Sequence, residues 1–391
     1  MKMKHNRILI ASGFFPYPCY FGGAFDVYGR IAALKEIGYS VDLVCTCKTQ
    51  PSKEDMAGMK SLVDAIYIVE RKNRVIDLVL PAPLQVASRK KLKDVKLDNA
   101  YDLVVLESES MAPLLNNRSL SAAKVAIRIH NDESRYFFQL GNSSSNIFKK
   151  LYYYIDAIKF KIFSNRIFLK ADRLWFISID EMKKFGKNSK LADKSLYLPA
   201  PSGQLPLQQK LGGRNVLFIG SLFMPNNINA IEWYLNNVHS QLVKNYPDYN
   251  FVIVGSTGDV KETELAKMFL GYTNIKVHYN VPDLTAFYAD AALFINPMQY
   301  GTGVKLKSIN GIINGLPLVS THIGSEGIGL IDKEMFFKAD SPEDFYGAIS
   351  HIFSAEPEDT AQMVKRAQKF ISSNDYLTIL KKETDDLFRQ A

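Results

Sequence analysis

The densest concentration of residues that could do chemistry runs from Pro297 to Gly315. It reads Pro297-Met298-Gln299-Tyr300-Gly301-Thr302-Gly303-Val304-Lys305, continues as Leu306-Lys307-Ser308-Ile309-Asn310-Gly311, and closes at Gly315-Leu316-Pro317. An apolar, strand-like run precedes it. Gly301 and Gly303 turn the chain at little steric cost, and a helix is expected from about Val304. A helix start presents unpaired N–H groups and the positive end of the peptide dipoles. Lys305 adds a point charge suited to phosphate. Thr302, Gly303, Val304 and Lys305 therefore form an expected phosphate cradle. The plainer reading is a glycine turn with a solvated lysine; the order strand, Gly-x-Gly, helix favours the cradle.

Three other places follow apolar runs in the same way. Gly220-Ser221-Leu222, with Met224-Pro225-Asn226-Asn227, leads from a strand into a helix. It reads equally as an anion loop, with Gly220, Ser221 and Asn226 near the ligand, or as a tight capped turn. Gly22-Gly23 sits in a proline- and aromatic-rich loop before a helix, but lacks the Gly-x-Gly-x-x-Gly dinucleotide pattern. His130 stands at the end of a buried strand in Arg128-Ile129-His130-Asn131-Asp132-Glu133. An imidazole there can donate a hydrogen bond or carry a proton, although a lone histidine is often structural.

The elements that must position these residues alternate along the chain. Strands are expected at Arg7–Ser12, Ser40–Thr46, Ala65–Val69, Asp102–Leu106, Lys124–Ile129, Arg173–Ile177 and Ser195–Leu198. A second series comprises Asn215–Ile219, Phe251–Val254, Ile275–Tyr279, Leu293–Ile295 and Leu316–Ser320. Runs apolar throughout signal strands buried on both faces of parallel sheets. Helices are expected near Ala24–Ile37, Ile228–Lys244, Pro342–Phe353, Ala361–Ile371 and Leu377–Gln390. The Pro- and Gly-rich stretch Pro199–Gly213 has no periodicity and reads as a linker. The expectation is an α/β chain of two doubly wound, Rossmann-like domains facing across a cleft. They cover residues 1–203 and 204–372, and a last helix over 373–391 could cross back to the first. In such sheets ligands bind beyond the carboxyl ends of the strands.

Composition sets bounds. The chain has 391 residues, enough for two cores, and 47% hydrophobic with 23% charged residues is ordinary for a globular protein. Three cysteines, Cys19, Cys45 and Cys47, argue for a reducing, cytoplasmic setting rather than a disulfide framework. Cys45 and Cys47 read as packing residues on one strand face. No ligand set for a metal stands out, so no metal or other cofactor is expected. The opening residues read as a domain start rather than a secretory signal, and no run is long enough to span a bilayer. Net charge is +8, which favours anionic partners. The basic clusters are Arg71, Lys72 and Arg74; Arg89, Lys90, Lys91, Lys93 and Lys96; and Lys149, Lys150, Lys159, Lys161, Arg166 and Lys170.

Taken together, the motifs resemble the group-1 glycosyltransferases, retaining enzymes of the two-domain GT-B fold. Gly301 to Thr321, with Gly324-Ser325-Glu326-Gly327, looks like their donor-site signature. Gly220-Ser221-Leu222 with Pro225-Asn226 resembles their opening C-terminal loop, and Gly22-Gly23 their N-terminal glycine loop. Arg128 to Glu133 resembles a His-Asn-x-Glu segment of part of the family, and Asp172 with Phe176-Ile177-Ser178 their sixth-strand region. Many members carry two donor-site glutamates eight positions apart; here those positions hold Thr302 and Asn310. The second glutamate usually grips the nucleotide ribose, a contact Asn310 would make neutrally.

The resemblance implies transfer of a sugar from a nucleoside diphosphate sugar to a glycan or lipid-linked acceptor in cell-surface polysaccharide synthesis. The donor sites would be Gly22, Gly23, Gly220, Ser221, Asn226, Thr302, Gly303, Val304 and Asn310, with His130 and Lys305 catalytic. The rival reading is a GT-B-fold binding or partner subunit with impaired catalysis. A nucleic-acid partner is not expected, since no recognised module is present. Phe148, Leu151, Ile155, Ile158 and Ile162 form a helical stripe among lysines and aromatics. It reads either as a face docking on an anionic membrane, at the inner side of the cell membrane, or as the buried face of a long helix.

Overall fold

The computed structural model describes residues 6–19, 22–72, 74–144, 146–201, 213–373 and 375–389. The described chain forms two compact units. The first holds residues 6–19, 23–201 and the helix Tyr376–Arg389; the second holds residues 213–375 together with Gly22. The linker read over Pro199–Gly213 falls largely on residues outside those described.

The first unit contains β1 (Arg7–Ser12), β2 (Ser40–Cys47), β3 (Ala65–Glu70), β4 (Ala100–Leu106), β5 (Ser121–Ile129), β6 (Arg173–Phe176) and β7 (Ser195–Tyr197). They form one sheet in the order β3-β2-β1-β4-β5-β6-β7, with every pairing parallel. Side chains alternate across it. Ile8, Ile10, Leu103 and Val105 enter one buried cluster, while Leu9, Ala11, Val104 and Leu106 enter another on the opposite face. Burial on both faces explains why these strands read as unbroken apolar runs. Cys45 and Cys47 lie in one of these clusters, their sulfurs 3.9 Å apart.

In the second unit the strands are β8 (Asn215–Ile219), β9 (Asn250–Gly255), β10 (Ile275–Tyr279), β11 (Leu293–Asn296), β12 (Leu318–Ser320) and β13 (Phe337–Lys338). Their order is β10-β9-β8-β11-β12-β13, again all parallel. Val216, Phe218 and Ile295 face one core and Leu217, Phe294 and Leu318 the other. The helix Pro225–Tyr234 starts on Pro225, whose missing N–H costs nothing there. It continues through a wider turn at Leu235–His239 into Ser240–Asn245 rather than running uniformly.

Both sheets reverse their strand order at one point: between β1 and β4 in the first, and between β8 and β11 in the second. The crevice at such a reversal, beyond the carboxyl ends of the strands, is where open α/β sheets hold ligands. The helix Tyr376–Arg389 belongs to the first unit. It buries Tyr376, Leu380 and Leu387 in that core, and Trp175 Nε1 donates to Glu383 Oε1 at 3.1 Å.

Candidate functional site

At the reversal in the second unit, two loops meet. The first follows β8. The Gly220 N–H bonds the Val254 carbonyl at 3.0 Å, and a Cβ on Gly255 would lie 2.1 Å from the Gly220 oxygen. Only glycine lets the loops after β8 and β9 approach this closely. The Asn227 amide donates to the Ser221 carbonyl at 2.9 Å, and the Asn226 side chain accepts from the Asn227 N–H at 3.0 Å. This turn is thus held by its own amides, with Ser221 and Asn227 buried.

The second loop follows β11. Gly301 and Gly303 have φ of 134° and 77°, values that other residues rarely adopt. Between them the Thr302 hydroxyl is buried without a hydrogen-bond partner. A Cβ on Gly301 would stand 3.5 Å from the Asn226 amide and 3.7 Å from Lys305 Cε, which brings both loops to one spot. The helix begins at Leu306 rather than Val304 and runs to Ile313; its N-cap, Lys305, supplies no side-chain cap. No side chain caps this helix start, although the Ser308 N–H bonds the Lys305 carbonyl at 2.9 Å. Behind the loop, the Asn296 amide donates to Ser308 Oγ (2.8 Å) and to the Gly324 carbonyl (3.0 Å). A Cβ on Gly324 would strike the Asn296 carbonyl oxygen at 2.4 Å.

The two lysines divide the work differently from the sequence reading. Lys305 is neither solvated nor pointing freely. It is buried, its ammonium donates to the carbonyls of Thr302 (3.1 Å) and Gly303 (2.5 Å), and Glu326 lies 4.0 Å away. It braces the glycine loop. Lys307, which the sequence reading assigned no role, reaches the β8 loop: its ammonium donates to Asn227 Oδ1 at 2.6 Å and stands 4.4 Å over the Phe218 ring. Burial, and then the charge of Lys305, push Lys307 down to about 7. Its place two residues past Lys305, in the first helical turn, was the available signal. Asn310 lies three residues further on the same helical face, half-buried, and no hydrogen bond from its side chain is found among the described residues.

The reversal in the first unit carries charge of another kind. Gly22 and Gly23 begin the helix Gly22–Ile37, Gly22 grouping with the second unit and Gly23 with the first. One and two turns into that helix, Asp26 and Arg30 are fully buried. Arg30 grips Glu107, the residue after β4, at 2.7 and 2.9 Å, contacts Asp26, and donates to the Tyr376 hydroxyl at 2.9 Å. Arg128 of β5 holds Asp26 from the other side at 2.9 and 3.1 Å. Burial alone would raise the Asp26 carboxyl, but Arg128 and Arg30 hold it well below the usual carboxylate range. Glu107 is likewise lowered: burial opposes ionisation there, and Arg30 overcomes it.

His130 follows β5 and meets this network with both ring nitrogens, Nδ1 3.6 Å from Asp26 and Nε2 3.5 Å from Glu107. About a quarter of its side chain is exposed. The ring is thus oriented from behind by two carboxylates while one edge remains open. Asp26 and Glu107 were missed as site residues; a charge just past a buried strand, as at Glu107, was the signal. Asp26, Glu107 and His130 offer three ligand atoms within 4.8 Å of one another. The two guanidiniums already neutralise both carboxylates, so the set is a poor fit for a divalent cation.

Two parallel sheets flanked by helices, each with a glycine-led helix start at its reversal point, make up the two-domain GT-B fold. Residues 213–355 match the family "Glycosyl transferases group 1". The chain is 35% identical over 338 residues to an uncharacterized 44.6 kDa protein in the cps region of Klebsiella pneumoniae, covering 83% of this chain and 84% of that one. An uncharacterized glycosyltransferase of Haemophilus influenzae is 31% identical over 124 residues, 31% of this chain and 33% of its own. Among solved structures, the fold is similar to that of S. aureus TarM, in a mutant form complexed with Fondaparinux, alpha-GlcNAc-glycerol and UDP. That match has a TM-score of 0.69 at 11% identity and covers 98% of this chain and 99% of TarM. Anabaena Alr3699/HepE in complex with UDP and glucose matches with a TM-score of 0.66 at 11% identity, covering 99% of this chain and 100% of its own. This chain belongs to the group-1 glycosyltransferases.

The stripe on the helix Ile147–Lys170 faces outward. Phe148 is 81% exposed and Ile158 62%, with Leu151, Ile155 and Ile162 also exposed, while Ala157, Phe160, Ile167 and Phe168 form the buried face. Ile76 and Val79 of the neighbouring turn Val75–Val79 are exposed at 65% and 79%, and Lys159 joins the two segments by donating to the Leu78 carbonyl at 2.7 Å. Among the described residues no helix is long and apolar enough to cross a membrane.

Proposed function

We propose that the enzyme moves a sugar from a UDP-sugar to a glycan or lipid-linked acceptor in capsular polysaccharide assembly, with retention of anomeric configuration. The observation that carries this reading is the donor edge of the second domain. There a glycine loop with two positive φ values, a buried unpartnered Thr302 hydroxyl, a helix start without a side-chain cap and Lys307 converge. Stabilising a leaving diphosphate asks for fixed N–H donors and a cation at one place. In this reading the chain's own groups supply both, and no metal or other cofactor is called for. Thr302, Gly303 and Val304 bind the diphosphate, joined by Gly220, Ser221 and Asn226. Lys305 keeps the loop in shape, and Asn310 offers the ribose a neutral hydrogen bond. His130, oriented by Asp26 and Glu107, serves as hydrogen-bond donor during transfer. UDP as the nucleotide is supported by the UDP complexes of TarM and HepE. Capsular assembly is supported by the cps-region relative, and retention by the group-1 resemblance.

The test is titration with UDP, GDP, ADP and CMP, followed by heat release, on wild type and on Lys305→Ala and Lys307→Met. UDP alone should bind tightly, and both variants should weaken it. No binding of any of the four would sink the donor-edge assignment. Proton NMR of the product's anomeric signal checks retention.

The acceptor step is proposed to occur against an anionic membrane surface, from the cytoplasmic side. The exposed apolar stripe lies among Lys149, Lys150, Lys161 and Lys170, a pairing of apolar face and positive charge that suits acidic headgroups. Co-sedimentation with vesicles containing phosphatidylglycerol, but not with phosphatidylcholine alone, is expected. Phe148→Asp with Ile158→Asp should abolish it while leaving the melting temperature within a few degrees, since both side chains are exposed.

A further inference from the structure

The carboxyl edge of the first sheet carries a second charge cluster that the donor chemistry does not use. Arg71 directly follows β3, its N–H bonding the Cys47 carbonyl of β2 at 2.7 Å. Arg89 comes from the segment after the short helix Leu84–Ala87, and although the sequence grouped it with surface lysines it is only 6% exposed. Its Nε donates to Thr46 Oγ1 at 3.2 Å, its Nη1 to the carbonyl and side-chain oxygens of Gln85 at 2.6 and 2.9 Å, and its Nη2 to the Gly13 carbonyl at 3.3 Å. All of these partners are neutral. A Cβ on Gly13 would lie 2.9 Å from Nη2, so the β1 loop runs close against the guanidinium.

Arg71 Nε is buried and has no hydrogen-bond partner. Neither arginine forms an ion pair with a carboxylate among the described residues. Burial, and then repulsion from Arg71, bring Arg89 down to about 9, and burial lowers Arg71 as well. Glu133 is the carboxyl whose field reaches Arg89; burial, and then Glu109, push its carboxyl up to about 8 while Arg89 opposes that rise.

A buried Arg89 and a half-buried Arg71 with its Nε unpartnered, neither in a salt bridge among the described residues, favour an anion joining them, and guanidinium forks match the oxygens of phosphate or carboxylate. The cluster sits at the carboxyl ends of β1, β2 and β3, on the ligand-binding edge of the sheet. The exposed Ile76 and Val79 follow Arg71 within a few residues.

We infer that Arg71 and Arg89 bind an oxyanionic group, phosphate or carboxylate, carried by the acceptor. This rests on the transferase reading above and narrows it: the acceptor is a phosphorylated lipid or an acidic saccharide, not a neutral sugar.

The test uses the full chain with UDP present at saturation, so that the second domain is already occupied. Inorganic phosphate, farnesyl phosphate and glucuronate are titrated at constant ionic strength set with chloride, following melting temperature. At least one probe should stabilise wild type, and Arg71→Gln should weaken that probe by about tenfold, the usual cost of one charge-assisted contact. A response to farnesyl phosphate and inorganic phosphate identifies the lipid source; a response to glucuronate identifies the saccharide. Arg89→Lys, which keeps the charge but loses the fork, should also weaken binding. Should Arg89→Lys fail to fold, Arg71→Gln carries the test alone. No response to any probe, or equal responses in wild type and Arg71→Gln, overturns the inference. UDP binding is measured in the same samples. If wild type binds no UDP, the donor reading fails while the Arg71-dependent response still decides this one.

Discussion

The two reversal points handle charge in opposite ways. In the first domain Asp26 and Glu107 are matched by Arg30 and Arg128, two negative against two positive, all buried. Only His130 reaches from this set towards solvent. In the second domain the charges at the edge are Lys305 and Lys307. Lys305 is held by loop carbonyls with Glu326 at 4.0 Å, and Lys307 is held by a neutral amide. A balanced network needs no ligand and fixes a shape. In the proposed reading, an edge with excess positive charge and a helix start without a side-chain cap is completed by an anion. The difference separates scaffold from binding surface within one molecule, and it puts the Arg71–Arg89 pair with the second kind.

The comparison can be broken most directly at Asp26. Asp26→Asn leaves Arg30 and Arg128 short of one charge in a dry interior, and the expected loss is about 3–5 kcal/mol of stability in urea unfolding. If the loss is under about 1 kcal/mol, the network is not the scaffold described. A pH test accompanies it. Asp26 and Glu107 have depressed folded-state values, so their contribution is present above the ordinary carboxylate range and is lost as pH falls through the lower folded values. Wild type should therefore lose stability steeply below about pH 4, and Asp26→Asn should lose it less steeply.

At the other edge, Lys307→Met should weaken UDP by about ten- to a hundredfold, the range for a charge-assisted contact in a partly buried site. The pH dependence sharpens this. Free Lys307 titrates at about 7 and a bound diphosphate would raise that value. UDP affinity should then be flat below pH 7 and fall as pH rises above it, by up to about tenfold per unit while the lysine stays charged only in the complex. In Lys307→Met the slope should vanish. A slope that survives the substitution would assign the titration to another group.

The smallest effect is expected at Asn310. Its side chain makes no hydrogen bond among the described residues and shares a face with Lys307. Asn310→Glu would supply a charged acceptor of the kind common in the family, and UDP affinity should rise about two- to fivefold. Unchanged affinity would mean that Asn310 does not face the nucleotide.

Several features are legible in the amino-acid order because they are local. Strand-to-helix alternation, the glycine turn after β11 and the parallel character of both sheets each depend on residues within one or two elements. The reading of Gly301 and Gly303 as a turn holds in their positive φ values. The helix over residues 147–170 was also legible, but which of its faces is buried was not. The stripe of Phe148, Leu151, Ile155, Ile158 and Ile162 is as apolar as a core face, and periodicity alone does not distinguish a core from an outward surface.

What the sequence by itself determined is thus the fold class, the enzyme family and the glycine turn after β11, because contiguous residues encode the turns, caps and buried strands that build them. Only the tertiary structure decided which charges meet. Arg128 and Asp26 are 102 residues apart, Arg30 and Glu107 are 77 apart, and Arg30 and Tyr376 are 346 apart. Whether a buried arginine is balanced, as Arg30 is, or makes no salt bridge among the described residues, as with Arg89, depends on those distant partners, since Coulomb energy follows separation in space and not along the chain.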